Sequence, residues 1–195
     1  MPEHDPLIRR VLGANYLELG LVRLIVDEVP DQSVGVKLTV NERGSAVEVE
    51  GSGVGLVDAI FSAMLGRHGR EVQSLHSIQV VEFSVVAELD TKSAKSGLDA
   101  VARVTIDAVN SEGRRFTFRH SSRSLTSSTA RAVLEMVQYF LNAERAFVTL
   151  DHARRDAIER GREDLVSRYT AEMAEVVEST SYAEVIEAIR KGLPR

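Results

Sequence analysis

Residues 47–65, VEVEGSGVGLVDAIFSAML, change their hydrophobic period midway. Val47 and Val49 alternate with glutamates, which is typical of a half-buried strand. Beyond Gly55 the apolar residues recur at helical spacing on one face. The sequence therefore predicts a strand, a glycine-rich break over residues 51–55, and a helix.

A glycine-rich turn before a helix exposes backbone N–H groups to whatever lies over the helix start. Together with the helix dipole, these groups favour a carboxylate or a phosphate. A plain tight turn needs its glycines just as much. Taken alone, the stretch leaves both interpretations open.

Composition narrows the class of protein. The chain has 195 residues, 44% of them apolar, which suits one domain with a sizeable core, or one domain plus an appendage. A net charge of -5 argues against a general nucleic-acid binder. The absence of cysteine excludes disulfides and thiolate metal sites, and the five histidines show no metal-ligand spacing. We expect a cytoplasmic protein, because no signal peptide and no membrane-spanning run is evident.

The first half of the chain predicts a helix and three strands before the helix that follows Gly55 and ends near residues 66–69. Residues 5–17 suit a short helical arm, with Asp5 as a cap and Pro6 in the first turn. Residues 19–29 and 34–40 suit strands, and residues 41–44 suit a hairpin turn. The inward face of the second strand is predicted to carry Val34, Val36, Leu38 and Val40.

The second half repeats this order. Strands are predicted over residues 76–89, 100–108 and 116–118, with a polar loop at 91–97 and a turn at 110–113. Residues 119–126 would connect the last strand to an amphipathic helix over 127–144. Gly44 falls on Gly113 and Val47 on Phe116 at one constant offset, which indicates an internal duplication.

The predicted fold class is α+β, with two tandem pseudo-symmetric βββα units, each a sheet covered by a helix. The units would span residues 19–70 and 75–148, after a helical arm over 1–18. Residues 149–195 are dense in charges of both signs and predict a helical extension, with helices over 150–177 and 181–191. The extension either packs on the core or a partner, or is a solvated helix pair.

Three motifs occur in order across this region: GSGVGLVDA at 51–59, GLDA at 97–100, and SSTA at 127–130 followed by Leu141-Asn142. With the duplicated unit, they make residues 19–147 resemble the C-terminal regulatory domain of 2-isopropylmalate synthase and citramalate synthase. That domain is a pair of βββα units that dimerises and binds the end-product amino acid of the pathway. The resemblance implies a ligand-binding set of Gly51, Gly53, Gly55, Val57, Asp58, Ala59, Asp99 and Ala100.

The chain departs from the family pattern in two respects. The turn before the second helix is RHSSR at 119–123 and has no glycine, which would narrow access to the backbone and add positive charge. An arginine could still hold a carboxylate. The basic group around this turn either binds an anion or is a solvated face; it comprises Arg114, Arg115, Arg119, Arg123 and Arg131. We also expect neither the catalytic barrel nor the paired metal histidines that these synthases carry.

Two functions follow as hypotheses. The first is a stand-alone regulatory module, a homodimer that holds a branched-chain amino acid or similar small carboxylate and signals to a catalytic synthase subunit. The second is a structural interaction protein whose C-terminal helices recruit a partner without any ligand. No nucleophile, base and oxyanion site can be assembled, so we expect no enzyme, no catalytic residue, no metal and no cofactor.

Overall fold

The computed structural model describes residues 3–88 and 101–180 and confirms the α+β class. The predicted loop at 91–97, the GLDA motif and the predicted helix at 181–191 lie outside these residues. The helices are α1 (Asp5–Leu12), α2 (Leu56–His68), α3 (Leu125–Glu159) and α4 (Glu163–Val177). The strands are β1 (Leu19–Glu28), β2 (Val34–Glu42), β3 (Ser45–Gly53), β4 (Gln79–Glu88), β5 (Val101–Val109) and β6 (Arg115–Ser122).

The strands form two three-stranded antiparallel sheets with the same order, β1-β2-β3 and β4-β5-β6. The first strand of each sheet has a bulge near its start, between Leu21 and Arg23 in β1 and between Val80 and Glu82 in β4. Each third strand leads directly into a helix. The two sheet-and-helix arrangements therefore match the predicted βββα description.

The hairpin between β2 and β3 turns through Arg43 and Gly44, whose φ angles are 53° and 84°. Two consecutive positive φ angles are typical of a tight type I′ hairpin, which confirms the predicted turn. The matching hairpin between β5 and β6 is longer. It uses Gly113 at φ 76°, and the side chain of Asn110 accepts a hydrogen bond from the N–H of Arg114 at 2.9 Å.

The core lies between the sheets and the helices. The predicted inward residues of β2 are all buried, as are Val104, Ile106 and Ala108 of β5. Phe116 and Phe118 of β6 pack against Tyr139 and Phe140 of α3, with ring centroids 5.1–6.1 Å apart. Asn142 of α3 holds the chain after α1, because its side chain bonds both the N–H and the carbonyl of Leu17.

Several predicted boundaries are wrong for local reasons. Helix α1 ends at Leu12, because Gly13 has a φ of 51°. His4, not Asp5, is its cap residue, and the Asp5 carboxylate instead accepts from Arg9 Nε at 2.7 Å and the Tyr16 hydroxyl at 2.9 Å. Strand β4 begins only at Gln79, because residues Gln73–Ser77 form a 3-10 helix that buries Leu75.

Two predicted breaks also lie elsewhere. Strand β3 continues through Gly53, which pairs with Val34, so the first three residues of the predicted break, 51–53, belong to the strand. Strand β6 likewise continues through Ser122.

The predicted helices over 127–144 and 150–177 are not separate units. Helix α3 is continuous over 35 residues, since residues 144–149 contain neither glycine nor proline to interrupt it. The break comes at Gly161, with a φ of 66°, and α4 then packs back against α3 and α1. Near the end of the described chain, the Tyr139 hydroxyl donates to Ser179 Oγ at 2.7 Å and Asn110 Nδ2 donates to the Thr180 carbonyl at 2.8 Å.

Candidate functional site

The glycines of β3 allow helix α2 to lie directly on the strand. A Cβ atom added to Gly51 would lie 2.5 Å from both the Ala59 carbonyl oxygen and the Ala63 nitrogen. A Cβ added to Gly53 would lie 2.6 Å from the Ala59 nitrogen. Both positions face α2, so these two glycines serve close packing.

The turn itself is short, formed by Val54 and Gly55. Asp58 caps it from inside the helix, because its Oδ2 accepts the N–H of Val54 at 3.0 Å. Gly55 has an extended φ of −161° and no atom near an added Cβ, so neither backbone conformation nor local packing requires a glycine. Within the described residues, the N–H groups of Leu56 and Val57 at the helix start have no acceptor.

A cavity of about 880 Å³ opens directly over this helix start. It lies between the first turn of α2, the first turn of α3, the end of β1 and the beginning of β4. Its walls are mainly aliphatic and aromatic. The lining residues are Glu28, Val54, Gly55, Leu56, Val57, Asp58, Phe61, Ile78, Val80, Phe83, Leu125, Thr126 and Thr129.

The start of α3 meets the same cavity, so the two repeated turns converge on one site. Ser124 caps α3 by accepting the N–H of Ser127 at 3.2 Å. Ser122 stands where Gly53 stands in the first unit, and its hydroxyl bonds Ser128 Oγ at 2.7 Å. Hydroxyl groups thus hold the second turn where glycines shape the first. Within the described residues, the N–H of Thr126 has no acceptor.

The expected positive charge does not reach the cavity. Arg119 and Arg123 are both exposed and neither lines it. The charged residues among those that line it are Glu28 and Asp58. Asp58 is engaged with Val54, whereas Glu28 has no partner among the described residues. The cavity therefore combines apolar walls, two helix N-termini that favour a carboxylate, and one carboxylate that favours an ammonium group.

The predicted ligand-binding residues have different placements. Gly55, Val57 and Asp58 line the cavity, Gly51 and Gly53 are covered by α2, and Ala59 is fully buried. Asp99 and Ala100 lie outside the described residues. The prediction missed Phe61 of α2 itself. It also missed the walls contributed by other elements, Glu28, Ile78, Val80, Phe83, Leu125, Thr126 and Thr129. Of these residues, only those at the start of α3 could have been found from the sequence. They follow residues 119–123, the turn in the second half that corresponds to the glycine-rich turn of the first half in the internal duplication.

One wall of the cavity continues into an uncovered sheet face. Phe83 and Val85 of β4 lie opposite Ile106 and Val104 of β5, which are fully buried beneath α3. Phe83 and Val85 nevertheless remain 45% and 41% exposed. Helix α3 covers β5, β6 and β1, and α2 covers β2 and β3, so β4 is the strand without a helix against it among the described elements.

Comparison with known families agrees with this architecture. A family model for the LeuA allosteric (dimerisation) domain matches residues 7–141. The chain belongs to the LeuA allosteric domain family. The match spans both sheets, α2 and the first half of α3, and it is to a regulatory domain instead of a catalytic one. A comparison with curated proteins finds no match.

The LeuA domain match agrees with a regulatory dimerisation module, as expected from the resemblance. Among residues 3–88 and 101–180, no group of three or more histidine, aspartate or glutamate side chains is placed to hold a metal ion. In the same part of the chain, no helix has the length and apolarity that crossing a membrane requires.

Proposed function

We propose that this LeuA domain is a regulatory module that binds a small branched-chain amino acid in the cavity between the starts of α2 and α3. The observation that carries the proposal is the convergence of two helix N-termini and Glu28 on one apolar cavity. The N–H groups of Leu56 and Val57 would hold the α-carboxylate. Glu28 would accept the α-ammonium group, and Phe61, Ile78 and Val80 would enclose the aliphatic side chain.

Calorimetry against leucine, isoleucine, valine and their 2-keto acids tests the ligand. Binding of the amino acids should release heat. Glu28→Gln should lower their affinity about tenfold, because it removes the partner of the ammonium group. The keto acids have no ammonium group, so their affinity should be unchanged by that substitution. Glu48→Gln, on an exposed residue of β3, is the matched control. Absence of heat with every compound would refute the ligand assignment.

We also propose that a second copy of the chain covers the bare face of β4. The face is apolar, lies on an edge strand, and adjoins a cavity that is larger than one amino acid needs. The matched family is a dimerisation domain, which supports a second copy of the chain as the partner that covers this face. Val85→Glu should shift the chain to monomers in sedimentation velocity. Val22→Glu, at an exposed valine in the bulge of β1, should not.

A regulatory module needs a protein that receives its signal, and a catalytic synthase subunit would fill that role. Copurification of the chain with such a subunit, and a leucine-dependent change in its rate, would test this part of the proposal.

The alternative is an interaction module without a ligand, in which the helical extension recruits the partner. It is favoured by one observation: residues 142–180 continue beyond the family match and form an ordered helix pair. Leu150 and Ala157 are buried in the core. A chain truncated after Arg160 keeps both residues, whereas a chain truncated at Thr149 loses them. Loss of a copurified partner from the chain truncated after Arg160, together with unchanged leucine binding, would separate the two functions.

A further inference from the structure

His120 holds the place in β6 that Gly51 holds in β3. Gly51 pairs with Val36, and His120 pairs with Val104, the matching buried valine of the second sheet. Both residues face the helix that covers their sheet. A glycine lets α2 lie tightly on β3, whereas an imidazole at the same place must be accommodated between β6 and α3.

A second, smaller cavity lies beside this histidine. It measures about 180 Å³ and occupies the space where the edges of β1 and β6 approach each other under α3. Its lining includes Leu19, Leu21, His120, Arg131, Glu135 and Gln138. It shares no residue with the cavity over α2, so it is a separate site.

In the described part of the chain, the charged groups of this cavity have no ion-pair partner. Arg131 and Glu135 are one turn apart on α3, yet they form no ion pair with each other or with any other described residue. The His120 Nδ1 atom is buried and has no hydrogen-bond partner among the residues that the structure describes. Gln138 is already engaged, since its Oε1 accepts the N–H of Leu19 at 2.7 Å.

His120 and Glu135 are half-buried, whereas Arg131 is exposed. Half-buried ionisable groups without partners lose solvation and gain nothing in return. Burial raises the pKa of Glu135, and burial together with the nearby Arg131 lowers the pKa of His120. In both groups burial has the largest effect, and it disfavours the charged form. A ligand that brings the missing partners would relieve both.

We propose that this second cavity binds a compact zwitterion, such as a free amino acid with a short side chain. Its carboxylate would pair with Arg131, its ammonium group with Glu135, and the imidazole of His120 would provide an additional polar contact. The opposite charges of Arg131 and Glu135 determine which class of ligand the cavity can bind. A simple anion would face Glu135, a simple cation would face Arg131, and only a molecule with both signs satisfies the pair.

Size restricts the ligand further. At about 30 Å³ for each water in the liquid, the cavity holds roughly six waters, which leaves room for a short chain against Leu19 and Leu21. The inference is independent of the proposed function, because a failure at one cavity leaves the other unaffected.

NMR titration of the intact chain with alanine tests the site. The imidazole resonances of His120, assigned from a His120→Gln variant, should shift on addition of alanine and stay in place with acetate or methylamine, which each carry one of the two charges. Arg131→Gln and Glu135→Gln should each lower the affinity for alanine about tenfold. Arg119→Gln, on the exposed side of the same strand, should leave the affinity unchanged.

Three outcomes would overturn the proposal. The first is no shift of His120 up to the solubility limit of alanine. The second is an equal shift with acetate, which would indicate a plain anion site. The third is loss of the shift in Glu28→Gln, which would place alanine in the larger cavity. Circular dichroism of each variant excludes unfolding as the cause, and the exposed position of Arg131 makes its variant the safest to interpret.

Discussion

Individual residues show that the glycines in one motif have different physical roles. Gly51 and Gly53 are packing residues, because the backbone of α2 occupies the space that their side chains would need. Gly55 has open space around it and extended backbone, yet it is the glycine that borders the cavity. A motif that resembles a ligand-binding turn is thus, over most of its length, a requirement of helix–strand packing.

The packing role predicts the outcome of single substitutions. Gly51→Ala would place a methyl group 2.5 Å from backbone atoms of Ala59 and Ala63, and backbone cannot move as a side-chain tip can. Overpacking of this kind costs about 1–3 kcal/mol in the free energy of unfolding. Gly55→Ala is the matched control and should change stability by less than about 0.5 kcal/mol. Urea unfolding measures both, and equal effects would contradict the packing role.

Buried His68 gives a second residue-scale prediction. It lies at the end of α2, with Nε2 3.1 Å from Glu42 Oε1, and Arg67 Nη2 donates to the same carboxylate at 3.0 Å. Burial lowers the pKa of His68 below its ordinary 6.5, despite the opposing effect of Glu42. The unfolded chain therefore binds a proton more readily. This contribution to stability is complete above about pH 6.5 and is lost as the pH falls from there through the lower pKa of the folded state.

His68→Gln should reduce the loss of unfolding free energy between pH 7.5 and pH 5.5, because the amide can bond Glu42 but does not titrate. At pH 7.5 the variant should be about 1–2 kcal/mol less stable through poorer packing and hydrogen bonding. His152→Gln, on an exposed histidine of α3, should behave as the wild type at both pH values. If all three proteins lose the same free energy on acidification, His68 is not the titrating group.

At the scale of elements, local sequence patterns predicted most of the strands and helices. The alternation in β2, the Arg43-Gly44 turn and the constant offset between the halves all reflect interactions between near neighbours in the sequence. The end of β3 could not be predicted in this way. Its glycines have poor strand propensity, and the pairing with β2 that keeps them extended is tertiary.

The candidate site was less predictable for the same reason. Its lining comes from the end of β1, the starts of α2 and α3, and β4, and only the glycine turn has a local signature. Glu28 and Phe83 carry no sequence signal of their own. The missing ion pair between Arg131 and Glu135, at helical spacing, is likewise evident only from the side-chain placements.

A buried hydrogen bond joins α3 to the segment that follows α4. The Tyr139 hydroxyl donates to Ser179 Oγ at 2.7 Å, and burial raises the pKa of Tyr139 to about 12, so it stays a donor. Tyr139→Phe keeps the ring contacts with Phe116 and Phe118 and removes only the hydroxyl. The variant should lose about 1–2 kcal/mol of unfolding free energy.

Hydrogen exchange should locate that loss in the last turn of α4, which should become less protected while β2 stays protected. Tyr169→Phe, on the half-buried tyrosine of α4 itself, is the control. A loss of protection spread evenly over the molecule would show that Tyr139 stabilises the core and not the docking of the extension.

At the scale of the whole molecule, the cavity and the uncovered face of β4 share Phe83, so binding of ligand and binding of a second copy should be coupled. Thermodynamic linkage makes the coupling reciprocal: if dimerisation raises the affinity for leucine by some factor, leucine strengthens the dimer by the same factor for each site. We expect about a tenfold effect, within the usual range for two coupled sites.

Two independent measurements give this factor. Calorimetry with leucine at protein concentrations below and above the dimer dissociation constant gives it from the ligand side, and sedimentation with and without leucine gives it from the protein side. The Val85→Glu variant should bind leucine with the weaker affinity of the monomer at every protein concentration. The Val22→Glu variant should show the same concentration dependence as the wild type. Equal leucine affinity in monomer and dimer would mean that the bare face of β4 and the cavity act separately, and that dimerisation in this LeuA domain is not the means by which a ligand regulates it.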